Sequence, residues 1–234
     1  MKNEIILLGT QLVKDIEKLD RIIDEYIDPI KDITDTGQDI LMPLKVINSL
    51  FVYNKKRKFK KFLISFAKSI NDRKRESLEH ERLEGYFKNE KNLNYFNDLI
   101  EKAIQSNSVY SSIILGYYAG LILSDEIEIK PKEIITLQAL KELSDFELSC
   151  FTRIYACVNL AEEVDISKYK QLNGIQFLAE LTIQKMIQVR MVEDPPERYG
   201  NSKNGRFLST DIAEEIHSII QLAGIEDELL NYQF

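Results

Sequence analysis

Apolar residues recur at helical spacing near the start of the chain. From Leu12 they fall three or four positions apart, which leaves one narrow apolar seam along a helix. A seam of this width needs a second helix, either from the same chain or from a second copy, so we expect a homodimer as one option. The members of this helix-pairing seam are Ile16, Leu19, Ile23, Tyr26 and Ile30, and Ile33 continues the same spacing.

The next segment, Ile40 to Tyr53, is apolar nearly all round, and Lys45 is its one charged residue. A strongly basic stretch follows at once, with phenylalanines and aliphatic residues interleaved at helical spacing. The pattern predicts a helix with one aromatic face and one basic face. The cations are Lys55, Lys56, Arg57, Lys58, Lys60 and Lys61, and the apolar residues are Phe59, Phe62, Leu63, Phe66 and Ile70.

Two further helices are expected after a polar connector that runs from Asn71 to Asn94. An amphipathic stripe between Leu93 and Ile104 predicts the first, and the Ser-Asn-Ser triplet at 106–108 ends it. The second covers 109–123 and holds Gly116 and Gly120. Small residues four positions apart let a neighbouring backbone approach closely, so this helix is expected to be central and tightly packed.

The last hundred residues predict a different arrangement. A short helix over 133–143 is followed by Ser144 and Glu147, which have the spacing of a capping box at the start of a helix toward Leu160. A third helix, two strands around a hydrophilic loop, and a closing helix come next, as in a winged-helix module. These elements are Ile175 to Gln188, Val189 to Val192, Glu193 to Gly205, Arg206 to Ser209, and Thr210 to Gly224.

The predicted fold is therefore mainly α, with a helical domain over 1–132 and a winged-helix-like domain with a two-stranded wing over 133–234. The composition agrees, because 9 Gly and 5 Pro in 234 residues leave few turn formers for a sandwich or barrel. With 44% hydrophobic and 29% charged residues, the chain has the composition of an ordinary globular protein.

Charge is distributed unevenly between these two parts. Residues 133–234 hold nine Lys and Arg against seventeen Asp and Glu, a net charge of −8, and the rest of the chain carries +1. DNA binding draws most of its affinity from cations, so an acidic winged helix favours docking on protein. A DNA-binding reading would rely on Gln176, Gln184, Lys185 and Gln188, and on the wing residues Arg198, Lys203 and Arg206.

Little of the sequence suits catalysis or metal binding. The chain has 2 His and 2 Cys, and Cys150 and Cys157 are seven apart, which fits neither a zinc pair nor a redox CxxC, so buried thiols are expected. His217 follows Glu214 by three, but a carboxylate-bridged metal bundle needs a second copy of that motif. Without a phosphate loop, a nucleophile elbow or a Rossmann fingerprint, we expect no enzyme, no metal and no cofactor.

The basic stretch allows two interpretations. Its cations could meet phosphates of an anionic membrane or of nucleic acid, with Phe51, Phe59 and Phe62 inserting or stacking beside them. Alternatively, it is a solvated helix face whose phenylalanines belong to the core. An apolar segment followed by a basic one is the arrangement of an interfacial anchor, so binding of anionic lipid through Leu41 to Lys61 stays an alternative.

The apolar runs are too short for a secretory leader or a membrane span, which predicts a cytoplasmic protein, free or peripheral at a membrane.

The stretch 138–144, together with the wing and 207–213, resembles poorly characterised bacterial and prophage helical proteins of the abortive-infection alpha-like type. That resemblance implies a helical front half, a C-terminal wing leading into a final helix, and a role in phage–host conflict.

These observations favour a non-enzymatic protein-interaction or regulatory protein that docks on another protein, in defence or anti-defence. A peripheral factor that binds anionic lipid and a DNA-binding winged-helix regulator are the alternatives.

Overall fold

A computed structural model describes residues 42–72, 89–125, 131–157, 164–165, 176–193 and 206–233. The helix-pairing seam (Ile16, Leu19, Ile23, Tyr26 and Ile30) lies outside these residues, as do the wing residues Arg198 and Lys203. Arg206 lies at the start of a strand, but its side chain is outside the described part.

Helices make up most of the described chain, so the expectation of a mainly α protein is confirmed. The helices are α1 (Met42–Asp72), α2 (Glu90–Gln105), α3 (Val109–Asp125), α4 (Pro131–Glu142), α5 (Asp145–Cys157), α6 (Gln176–Gln188), α7 (Asp211–Ala223) and α8 (Glu226–Leu230). The strands are β1 (Val164–Asp165), β2 (Val192–Glu193) and β3 (Arg206–Ser209).

The chain divides into two compact units. Unit 1 comprises 1–105 and 115–128, and unit 2 comprises 106–114 and 129–234. Helix α3 therefore contributes its first residues to unit 2 and the remainder to unit 1.

Unit 1 has an aromatic core between α1 and α2. The rings of Phe66 and Phe96 lie 5.1 Å apart between centroids, and Phe62 packs against both. The predicted stripe on α2 is buried at Phe96, Leu99, Ile100 and Ala103. One face of each helix thus supplies the apolar area that stabilises this unit.

Gly116 and Gly120 bring α3 against α1. A Cβ atom built on Gly116 would lie 2.1 Å from the carbonyl oxygen of Phe62, and one on Gly120 would lie 2.5 Å from the Cβ of Ser69. The backbones approach closely because neither glycine carries a side chain at the contact. This confirms the expectation drawn from their four-residue spacing.

Unit 2 begins with a hydrogen-bonded junction around α4. The backbone amide of Asn107 donates to the backbone carbonyl of Lys141 at 3.1 Å. The side-chain amide of Asn107 donates to the backbone carbonyl of Glu142 at 3.0 Å. The hydroxyl of Ser108 and the amide of Tyr110 donate to the carboxylate of Asp145. The ends of helices leave backbone groups without partners within the helix, and this junction satisfies two carbonyls at the end of α4 and one amide at the start of α3.

The predicted capping box at the start of α5 is confirmed. The amide of Ser144 donates to Oε2 of Glu147 at 2.7 Å, and the amide of Glu147 donates to the hydroxyl of Ser144 at 3.2 Å. Helix α5 then packs on α6 and α8, and α4 packs on α7. The core of the unit includes Leu140, Phe151, Ile154, Met186, Ile216, Ile220 and Leu229.

Residues Val189 to Val192 do not form the predicted strand over their whole length. The amide of Met191 donates to the carbonyl of Met186 and that of Arg190 to Ile187, which is a Schellman ending of α6. Arg190 adopts φ 63°, the left-handed region in which glycine is usual. The helix end therefore occupies most of this segment, and β2 is only Val192–Glu193.

Three short strands pair in the order β1-β3-β2, all antiparallel. Val164 is opposite Phe207, and Val192 is opposite Ser209. The loop 194–205 lies outside the described residues, so the two-stranded wing stays a prediction.

Candidate interaction surface

The orientation of α1 is set by its buried side. Phe59, Phe62, Leu63, Phe66 and Ile70 are all fully buried, which confirms that the phenylalanines belong to the core. Because they recur at intervals of one, three and four residues, they fix one face of the helix inward, and the opposite face points outward.

Five residues on the outward side of α1 form what we call the exposed basic face. Two of them are large apolar side chains that are exposed to solvent: Tyr53 is 63% exposed and Ile64 is 37% exposed. The other three are exposed cations, two of which lie between Tyr53 and Ile64 in the sequence. The members of the exposed basic face are Tyr53, Arg57, Lys61, Ile64 and Lys68.

The remaining cations of the basic stretch flank this face. Lys55, Lys56, Lys58 and Lys60 are half-buried and take part in contacts within the protein; Lys68 also takes part in such a contact but stays exposed. Long lysine stems commonly cover apolar surface while the ammonium group reaches water. Of the six cations that the sequence singles out, Arg57 and Lys61 are therefore the two that the structure exposes.

The composition of the exposed basic face decides which ligands suit it. Asp72 is the one acidic residue between Tyr53 and the end of α1, where seven lysines and arginines lie. A ligand must be negatively charged to approach and must offer apolar groups to cover Tyr53 and Ile64.

Phe59 and Phe62 cannot stack on bases or insert into lipid while this fold is intact, because both side chains are fully buried. The side chain of Phe51 lies outside the described part. The sequence left two interpretations of the phenylalanines open, as ligand contacts or as core residues, and it did not assign Tyr53, Ile64 or Lys68 to the surface. Once the phenylalanines are known to be buried, counting outward from them in steps of 100° per residue finds these three residues.

The described side chains of α6 begin at Thr182 and include the cation Lys185. Its cation Lys185 lies 3.1 Å from a carboxylate oxygen of Glu142. Hydrogen bonds from Gln138 and Lys185 hold the pKa of Glu142 below its usual range, so this carboxylate stays charged beside the ammonium group. Gln184 and Gln188 are exposed, whereas the side chain of Gln176 lies outside the described part.

Two ionisable residues of unit 2 belong to its packing. Cys150 is a free, buried thiol, and burial raises its pKa, which makes it a poor nucleophile. The ring of His217 lies 4.3 Å from that of Tyr155, and Nε2 lies 3.9 Å from Glu226. Burial lowers the pKa of His217, and Glu226 opposes that change. The side chain of Cys157 is not among those described.

Among the described residues, no three His, Cys, Asp or Glu side chains come together as a metal site would require. No described helix is both long enough and apolar enough to cross a bilayer.

Comparison with protein-family models, with curated proteins and with solved structures found no match to this chain.

Proposed function

We propose that this chain is a non-enzymatic interaction protein that docks on a partner protein through the exposed basic face of α1. The observation that carries this proposal is the presence of two exposed apolar residues and three exposed cations on one face of a single helix. Tyr53 and Ile64 expose apolar area to water, while Arg57, Lys61 and Lys68 provide long-range attraction.

Interfaces between proteins suit this mixture. Tyrosine and arginine are enriched at the energetically important positions of such interfaces, and both occur on the exposed basic face. Burial of the phenylalanines weakens the lipid alternative, because an interfacial helix inserts a continuous apolar face and α1 has turned its aromatic face into the core.

Quantitative co-purification from the native host tests the proposal. The bait variants are Arg57→Gln/Lys61→Gln, which removes two positive charges, and Gln105→Glu/Gln184→Glu, which adds two negative charges at exposed positions on α2 and α6. Both change the net charge by the same amount. We expect one partner protein to co-purify in equal amounts with the wild type and with Gln105→Glu/Gln184→Glu. The amount that co-purifies with Arg57→Gln/Lys61→Gln should be about tenfold lower.

The same set of proteins on all three baits would contradict docking through this face. So would loss from both variants alike, because that result would reflect net charge alone.

We further propose that unit 2 is a winged-helix-like domain and that the protein acts in phage–host conflict. Support for the first comes from the antiparallel pair β2 and β3, which lies between α6 and α7 in the chain. The second rests on the resemblance to abortive-infection alpha-like proteins. Cross-strand amide contacts that continue into 194–205, measured by nuclear magnetic resonance, test the wing. A change in phage plaque formation on deletion of the gene tests the role.

A further inference from the structure

The exposed basic face also indicates what kind of partner it takes. We propose that it binds an acidic amphipathic α-helix of the partner protein, packed alongside α1. This inference rests on the proposed docking function and adds the chemistry and shape of the partner.

The geometry of the face is that of a helix-pairing line. Its five residues are separated by four, four, three and four positions, so they fall within about 80° of the helix circumference at 100° per residue. From Tyr53 to Lys68 the face is about 22 Å long at 1.5 Å per residue. A partner helix of about fifteen residues covers that length.

The apolar residues set the spacing of the partner's anchors. Tyr53 and Ile64 are eleven positions apart, which is about three turns, and they lie on nearly the same line. A neighbouring helix meets both if it offers two large apolar side chains about three turns apart.

The cations set the charge of the partner. Arg57 and Lys61 lie between the two apolar residues, and Lys68 lies one turn beyond Ile64. A partner helix therefore needs Asp or Glu between its apolar anchors and beyond one of them. Basic residues at those positions would repel the face.

A helix fits this face better than a membrane or nucleic acid does. Two large apolar residues separated by about 16 Å match discrete side chains, whereas lipid insertion needs a continuous apolar surface. Binding of single-stranded nucleic acid draws on aromatic platforms beside a charged groove, and Tyr53 is the one aromatic residue on the face.

Selection from a displayed library of random twenty-residue peptides tests the proposal on the full chain. We expect enriched peptides with two large apolar residues about eleven positions apart and Asp or Glu between them. Their affinity should fall about tenfold for Arg57→Gln/Lys61→Gln and for Tyr53→Ala/Ile64→Ala, and should be unchanged for Gln105→Glu/Gln184→Glu. Circular dichroism of each variant and of the bound peptides checks the fold and the helix.

Enriched peptides that are neutral or basic, that bind without helix formation, or that bind the charge-neutralised variant equally well would overturn the inference. No enrichment would overturn it as well. Sedimentation with vesicles of phosphatidylserine and phosphatidylcholine, and binding to a single-stranded oligonucleotide, complete the experiment. Stronger binding to either than to the best peptide would assign the face to that ligand instead. The co-purification result does not depend on these outcomes, so the two proposals can fail separately.

Discussion

Two glycines hold the helices of unit 1 at their observed separation. At Gly116 even a methyl group would meet the carbonyl oxygen of Phe62 at 2.1 Å, and this oxygen belongs to the backbone of α1 and cannot rotate away. In an ordinary helix, replacing glycine by alanine is stabilising by roughly 0.5–1 kcal/mol. The close approach reverses that expectation.

Gly116→Ala should therefore lower the free energy of unfolding by about 2 kcal/mol, because α1 and α3 must move apart and leave the aromatic core less well packed. Urea unfolding followed by circular dichroism measures this change. A variant as stable as the wild type, or more stable, would show that α3 does not approach α1 so closely.

The two Schellman endings of unit 2 differ in the residue at the left-handed position. Gly224 occupies it after α7 with φ 70°, and Arg190 occupies it after α6 with φ 63°. Arg190→Gly should raise the free energy of unfolding by about 0.5–1 kcal/mol, whereas Gly224→Ala should lower it by about 1 kcal/mol. Thermal unfolding of both variants shows whether each substitution raises or lowers the free energy of unfolding. If both substitutions changed the free energy of unfolding in the same direction, the assigned backbone conformations would be contradicted.

His217 gives the stability of unit 2 a dependence on pH. Burial disfavours the protonated ring, so its pKa is lower in the folded protein than the ordinary 6.5, with Glu226 opposing the shift. The folded state then binds this proton more weakly than the unfolded chain, so stability is complete above pH 6.5 and decreases as the pH falls below it.

Chemical unfolding at pH 7.5 and pH 5.5 compares the wild type with His217→Gln. The wild type should lose more free energy of unfolding on acidification than the variant does. An equal or larger loss in the variant would show that the ring titrates as it does in the unfolded chain.

At the scale of elements, the junction around Asp145 connects α4 and α5 with the first residues of α3. Its carboxylate accepts hydrogen bonds from Ser108 and from the amide of Tyr110, at the start of α3, while Asp145 itself begins α5. Asn107 satisfies the last carbonyls of α4. The carboxylate of Asp145 therefore connects the start of α5 with the start of α3, next to the end of α4.

Asp145→Ala should lower the free energy of unfolding by about 1–2 kcal/mol, because it removes two hydrogen bonds to the start of α3. Asp211→Ala is the matched control, since Asp211 also begins a helix and is exposed. Asp211→Ala should lower the free energy of unfolding by about 0.5 kcal/mol, because it removes only the interaction of the carboxylate with the helix dipole. Denaturant titration measures both, and equal losses would mean that the contact with α3 contributes nothing.

Sequence patterns predicted elements wherever local chemistry determines them. The capping box at Ser144, the stop at Gly224 and the close packing at Gly116 each follow from residues within a few positions of one another. The alternating polarity of Val189 to Val192 predicts a strand where the structure has the end of α6, because no glycine marks that helix end. The two-residue strand β1 is too short to give a periodic signal.

The candidate surface was predictable in part for a similar reason. Sequence alone located the cations, but it did not decide which face of α1 is inward, because that depends on contacts with α2 and α3. Once the phenylalanines are buried, Tyr53 and Ile64 become the exposed apolar residues. The exposed basic face is thus a consequence of tertiary packing more than of the charge run.

At the scale of the whole molecule, the charge of this chain is distributed unevenly. The net charge is −7, yet the described part of α1 from Tyr53 onward is strongly basic. A basic face on an acidic protein attracts a negatively charged partner locally while the rest of the surface repels it, which restricts the orientations that can bind.

Site-specific photo-crosslinking tests docking through the exposed basic face most directly. A benzophenone amino acid replaces Tyr53, which is 63% exposed on the face, or Leu222, which is 49% exposed on α7, and the cells are irradiated. We expect a covalent adduct with a partner protein from position 53 that Arg57→Gln/Lys61→Gln abolishes and that position 222 does not form. An adduct from position 222 alone, or one from position 53 that survives the loss of both cations, would contradict the account.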